Sequence, residues 1–418
     1  MSRPQAMLVI GFLVLSSVVG PKMMAGEPLV PLASVRAALA DADLQLEPYV
    51  REWVRIAEIP APSGGEGQRA DYLETRLRDL GLSRVGRDEA GNVFGLLKGS
   101  NPALKKVVFS AHMDTVAPAG ADYSVRRTQQ AGGGVLRGPG VRDDSSGLAA
   151  LVAAISLIRN HDLAPAADTW ILASAQEEVG LQGAERFVRD HADEIGAFIA
   201  VDGSLGQISY AATGIVWLKI RFKGEAAHTL KAHEKPSAIL AAARAIDAIS
   251  AIPLRRSPEE LESWLNIGSM GAGDVPNALP GEAWFTVDIR SNDTETVGML
   301  EKQVTELAGR ASRGVGVECH IETLHRLAGT SPPGGGKSPL VLSARRVLES
   351  LGWNQISVTP RGTADHNVAI ARGIPGIAIG ITTGDGAHTP DEYADIAPFL
   401  IGVKQVMLLA LVPLTGTR

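Results

Sequence analysis

The feature that most constrains this chain is the segment Ser145 to about Ile158, which reads as a helix built almost entirely of Leu, Ala, Val and Ile. A helix that is apolar all round must be buried. Its amino end is then also interior, and there the sequence places two adjacent carboxylates, Asp143 and Asp144, in Gly138-Pro-Gly-Val-Arg-Asp143-Asp144-Ser-Ser-Gly147. A helix cap accounts for one of them, because Asp is a favoured cap and the helix dipole welcomes its charge. The second is costly to bury unless a cation neutralises it.

The flanking strands deliver more groups of the same kind. Lys105-Lys-Val-Val-Phe109 has the bias of a buried strand, and it leads into Ser110-Ala-His112-Met-Asp114-Thr. An imidazole two residues before a carboxylate permits His112 to bind a metal through one ring nitrogen while Asp114 accepts the proton of the other or holds the loop. Taken alone, such a pair more often belongs to an ordinary loop. Trp170-Ile-Leu-Ala-Ser-Ala175 delivers Gln176-Glu177-Glu178, and two consecutive glutamates on an extended backbone point in different directions. Ala197-Phe-Ile-Ala-Val201 ends in Asp202, and His388 stands in a Gly-rich loop beyond the strand-like Gly373 to Ile379. Sites in α/β sheets lie at strand carboxyl ends. Two imidazoles and three carboxylates, His112, Asp143, Glu178, Asp202 and His388, are what two divalent cations need when one carboxylate bridges them.

At 418 residues, the chain exceeds what one core usually organises. Ile215 to Lys223 alternates, and the order β-α-β-β-α-β to about Leu324 predicts a small α+β domain inserted into the first. The Gly-rich and Pro-rich linker 329–336 marks the return. The expected division is 28–212 and 328–418 for the main domain and 213–327 for the insert. A net charge of −6 without long basic runs leaves no footprint for nucleic acid. Arg3 followed by an apolar run from Ala6 to Val19 predicts a signal peptide over 1–25 and an exported, periplasmic or secreted protein. The single Cys319 excludes a cysteine-based metal site, so His and carboxylates must hold any ion, which suits zinc, manganese or cobalt.

In order and in spacing, Ser-Ala-His-Met-Asp-Thr, the Gly-x-Gly-x-x-Asp-Asp segment, Ala-Gln-Glu-Glu-Val-Gly, Val-Asp-Gly and Gly-Ala-His-Thr-Pro-Asp-Glu resemble the dinuclear zinc exopeptidases and deacylases. That family includes peptidase T, carboxypeptidase G, aminoacylase and succinyl-diaminopimelate desuccinylase. The resemblance implies an α/β fold, a three-layer catalytic domain with an inserted ferredoxin-like lid that serves in homodimerisation. It also implies two Zn2+ per chain, with Co2+ or Mn2+ as substitutes. Asp143 would bridge the ions, with His112 and Asp202 completing one site and Glu178 and His388 the other. Glu177 would be the general base and Asp114 would orient His112. His228 would stabilise the oxyanion in the partner subunit's site, and Asn277 and Arg290 would contact substrate, although a strand-face ion pair is an alternative for Arg290.

Two departures stand out. Ser145 replaces the family's usual Lys after the Asp pair, and His366 follows Asp365 where a small residue is usual, so that His366 either shapes the substrate pocket or faces solvent. The expected substrates are short peptides cleaved from the amino end, because aminopeptidases of the family tend to carry Asp at the Asp202 position and export suits peptide scavenging. The alternatives are a carboxypeptidase or a deacylase of N-acyl amino acids. A non-catalytic homologue would lack a ligand or the base, and none is missing.

Overall fold

The computed structural model describes residues 32–130, 133–254, 262–332 and 334–414. The expected signal segment 1–25 lies outside the described residues. Two compact units result, one formed by the chain up to Tyr210 and from Pro332 onward, the other by Ala211–Ser331, where 213–327 was the expected insert.

The first unit is built on an eight-stranded mixed sheet in the order Ser83–Arg87, Val93–Leu97, Thr169–Ser174, Lys106–His112, Ile195–Ala200, Gly376–Ile379, Gln207–Ser209, Ser357–Thr359. Lys106–His112 lies between two parallel neighbours and is buried at every residue, as expected of a strand covered on both faces. Helix Ser145–Asn160 packs on this strand and is buried without interruption from Ser145 to Ile155. Helices Leu46–Ala57 and Ile396–Leu411 cover it, with Trp53 stacked on Phe399 at 4.6 Å and its indole N–H donating to the Val141 carbonyl at 2.6 Å.

A second, four-stranded sheet of this unit, in the order Gly384–Asp385, Tyr393–Asp395, Gly133–Arg137, Arg126–Gln130, is not legible in the sequence, which is polar and Gly-rich ahead of Gly138. It matters because pairing of Tyr393 with Arg137 sets the His388 loop beside the loop that carries Asp143.

The second unit has one antiparallel sheet in the order Ser263–Ala272, Glu282–Ser291, Gly214–Lys223, Glu318–Leu327, the 2-3-1-4 arrangement of a ferredoxin-like sandwich. Val216, Leu218, Ile220 and Phe222 are buried against helices Ala238–Ser250 and Thr294–Val315, while Trp217, Lys219 and Arg221 between them are only half-buried. No helix of the described residues is long and apolar enough to cross a membrane.

Candidate metal centre

His112 is the last residue of its strand and is buried. Its Nδ1 lies 2.9 Å from the main-chain carbonyl of Asp114, so that nitrogen carries a proton and Nε2 is the nitrogen turned towards the centre. Nε2 meets Asp143 Oδ1 at 2.9 Å. The orienting contact therefore comes from the backbone of Asp114, because its carboxylate is engaged elsewhere. Oδ2 accepts from Ser63 Oγ at 2.7 Å and from the Glu178 N–H at 3.2 Å, and Oδ1 accepts from the Glu177 N–H at 2.9 Å. Burial acts upward on Asp114, but His112, Ser63 and the Glu177 amide outweigh it and hold its carboxyl below the usual range.

The Asp pair divides as the sequence argument requires. Asp144 caps helix Ser145–Asn160 through the Gly147 N–H at 3.0 Å, and its other oxygen accepts the His112 N–H at 3.0 Å. Asp143, joined to it by a cis peptide bond, faces the opposite way and offers its two oxygens to two imidazoles: Oδ1 to His112, and Oδ2 to His388 Nε2 at 3.2 Å. Gly147 is required at this crossing, since a Cβ there would come within 2.1 Å of the Val201 carbonyl just before Asp202. His388 is held at φ +66°, a backbone conformation uncommon outside glycine and asparagine.

The backbone of the two glutamates differs from expectation. The strand ends at Ser174, Gln176 adopts φ +54°, and Gly180 and Leu181 return their N–H groups to the Glu177 carbonyl, so Glu177 and Glu178 lie in a turn and not on an extended chain. Glu178 Oε1 lies 3.1 Å from His388 Nε2 but is buried without a well-aligned hydrogen-bond donor. Burial pushes Glu177 well above the usual carboxyl range, with Asp202, Asp365 and Glu178 adding to it against His112. Burial and the charge of Asp143 push Asp202 up to about 7.

These groups fit a cation centre. Ligand atoms of His112, Asp143 and Glu178 all lie within 4.8 Å of one another. Hydrogen bonds to Asp143 and Glu178 raise His388 to about 10, and His112 also lies well above its ordinary value, where burial is outweighed by Asp114 and Asp143. So many converging carboxylates call for positive charge. In the protein alone the imidazoles supply part of it, with Arg69 and Arg142 nearby, and divalent ions would do so without protonating the ligands.

Three buried residues that support the centre were not singled out in the sequence. Glu392 accepts the N–H groups of Gly140 at 2.8 Å, Arg142 at 2.8 Å and Asp143 at 3.0 Å. Glu66 accepts those of Gly64 at 2.8 Å and Gln176 at 3.2 Å. The fully buried Arg69 donates to the carbonyls of Met113 at 2.7 Å, Ile59 at 2.7 Å and Ala57 at 3.2 Å, and burial lowers it to about 10. Asp365 accepts from Ser174 Oγ at 2.6 Å, binding its loop to the strand that leads to Glu177. His366 is fully buried, which removes the solvent-facing alternative.

In the second unit, the exposed His228 pairs with Ala278 in a two-stranded ribbon, and the Thr229 N–H donates to the Asn277 carbonyl at 3.1 Å, so His228 and Asn277 are neighbours. His228 Nδ1 accepts the Leu230 N–H at 3.3 Å, which leaves Nε2 as the N–H side of the neutral ring. Arg290 pairs on its own strand, its Nε donating to both oxygens of Asp288 at 3.1 and 3.0 Å.

Carboxypeptidase G2 of Pseudomonas sp. is 25% identical over 82% of this chain and 83% of its own length. Peptidase T of Aeromonas hydrophila is 28% identical over 50% of this chain and 58% of its own. A tripeptidase of Staphylococcus aureus, known as a crystal structure, shares the fold with a TM-score of 0.73 at 22% identity, covering 87% of this chain and 97% of that one. The pattern that defines peptidase family M20/M25/M40 matches residues 108–411, and the chain belongs to this family of hydrolases.

Proposed function

We propose that the protein is an exported dinuclear zinc aminopeptidase acting on short peptides, with His112, Asp143, Glu178, Asp202 and His388 as ligands. The observation that supports it most is the presentation of the two Asp143 oxygens to two different imidazoles, the arrangement a bridging carboxylate requires. Bound zinc acidifies water and polarises a carbonyl. Glu177, buried and raised in pKa, takes a proton from the attacking water and passes it to the leaving amine. Asp114 holds the Glu177 and Glu178 amides and, through its carbonyl, the His112 ring. His228 of the partner subunit in a homodimer donates its Nε2–H to the developing oxyanion, while Asn277 and Arg290 contact the peptide.

The second reading, a carboxypeptidase or N-acyl amino acid deacylase, is favoured by the match to carboxypeptidase G2, which spans more of this chain than that to peptidase T. The deciding assay offers zinc-loaded protein di- and tripeptides with free and acetylated amino ends beside N-acyl amino acids. Faster turnover of the acetylated or N-acyl compounds would replace the aminopeptidase reading with the second one. Export is tested by cell fractionation and by the amino-terminal sequence of the mature chain, expected near Gly26 after cleavage at Ala25.

A further inference from the structure

The loop 138–143 and the loop 386–392 each carry one ligand of the proposed centre, Asp143 and His388, and approach from distant parts of the chain. Between them lies the carboxylate of Glu392, only 4% exposed. One oxygen accepts the Gly140 N–H, and the other accepts the Arg142 and Asp143 N–H groups. The main chain reinforces the contact, since the Gly138 N–H donates to the Glu392 carbonyl at 3.3 Å and Tyr393 pairs with Arg137. Gly140 at φ +67° turns the loop so that its amides converge on this one side chain. Among the described residues no Lys, Arg or His side chain is paired with the Glu392 carboxylate, which is met by main-chain dipoles that belong to the other ligand's loop.

We propose that Glu392 is the positioning residue of the metal centre, joining the Asp143 loop to the His388 loop so that both ligands are presented together. It touches neither substrate nor the reacting atoms, and it acts by fixing the peptide from which the bridging carboxylate hangs. Residues that orient metal ligands typically change metal affinity about 10- to 100-fold when removed. Because Asp143 contacts both sites, loss of Glu392 should weaken both ions, whereas loss of the terminal ligand His388 should weaken mainly one. The inference rests on the two-cation reading.

The test is a competition titration of metal-free protein with Zn2+ against a chromophoric chelator, run on the parent, Glu392→Ala, Glu392→Gln and His388→Ala. Absorption spectra of the Co2+-loaded proteins are recorded in parallel as a reading of coordination geometry. Glu392→Gln keeps one acceptor oxygen, so it retains the bonds to Arg142 and Asp143 but turns an amide against the Gly140 N–H. The expected order of affinity for both ions is parent, then Gln, then Ala, the last about 10- to 100-fold below the parent with an altered Co2+ spectrum. Parental affinities and an unchanged Co2+ spectrum in a folded Ala variant, or in the Gln variant if Ala does not fold, would overturn the proposal. A variant that loses only thermal stability in the metal-free state, with both affinities unchanged, would overturn it too by showing a merely structural role. A parent that binds fewer than two ions refutes the two-cation reading itself, and with it this inference.

Discussion

Replacing Asp144 separates the two jobs of the Asp pair, and the size of the effect can be worked out from its contacts. Its side chain is fully buried; one oxygen caps helix Ser145–Asn160 at Gly147 and the other holds the His112 N–H. Asp144→Ala removes a cap worth about 1 kcal/mol. It also strands a buried main-chain donor at about 1–3 kcal/mol. The loss is then about 2–4 kcal/mol, which raises whole-unit hydrogen-exchange rates about 30- to 700-fold at a tenfold change per 1.4 kcal/mol. Asp144→Asn keeps one acceptor, and Asn caps a helix as well as Asp does, so it should lose only the cost of the other, stranded donor, about 1–3 kcal/mol. Burial, with Asp202 and Asp143 beside it, pushes the Asp144 carboxyl well above the usual range, and both variants remove that ionisable group alike. Their difference therefore isolates the hydrogen bonds. Hydrogen exchange of peptides from 145–160 in metal-free protein reads the effect, and the number of ions bound at saturating metal should stay parental in both, although affinity falls where the His112 amide loses its acceptor. Equal losses in the Ala and Asn variants would mean that charge and not hydrogen bonding decides the role of Asp144, and loss of an ion at saturating metal would mean that the pair has been divided wrongly.

Asp143→Ala should abolish binding of both ions by elemental analysis, while His388→Ala should weaken mainly one; retention of two ions without Asp143 would exclude the bridging role. Glu177→Gln should keep its metal and lose about two to four orders of magnitude in turnover. Near-parental turnover there would show that the roles of Glu177 and Glu178 are misassigned. Subunit exchange between His228→Ala and Glu177→Gln chains, each nearly inactive alone, should restore part of the activity, because one composite site becomes intact. No recovery after verified exchange would place His228 in its own chain's chemistry or in none.

The division between what the sequence disclosed and what it concealed follows from how each residue is specified. His112, Asp143, Glu178 and His388 meet in space, and because the proposed metal chemistry would demand those residue types at strand ends and loops, such a demand leaves a trace in the sequence. Asp144 was readable for a related reason: an apolar helix needs a capping side chain beside its first turn, and the candidate sat next to it. The two glutamates lie not on an extended strand but in a turn set by Gln176 at φ +54°, which no strand pattern foretells. Strands Gln207–Ser209 and Ser357–Thr359 are too short to show a period, and Arg126–Gln130 is exposed along its whole length.

Glu66, Arg69 and Glu392 are of another kind. Each satisfies main-chain groups, and every residue except proline offers the same N–H and every residue the same carbonyl, so the partner's identity carries no signal. Glu392 finds its three amides about 250 residues away, and Glu66 reaches Gln176 across 110. Around this centre the repeated device is a buried carboxylate gathering the amides of a neighbouring loop that carries a proposed ligand or base: Asp114 holds the Glu177 and Glu178 amides, Asp144 that of His112, Glu66 that of Gln176, and Glu392 those leading to Asp143. These anions surround a site that is itself anionic, so their amide partners must replace the solvation that water would give. The same constraint explains why Arg69 is bonded to three carbonyls and no carboxylate: its fixed positive charge sits behind the His112–Asp114 loop, where it offsets the accumulated negative charge without competing for a ligand.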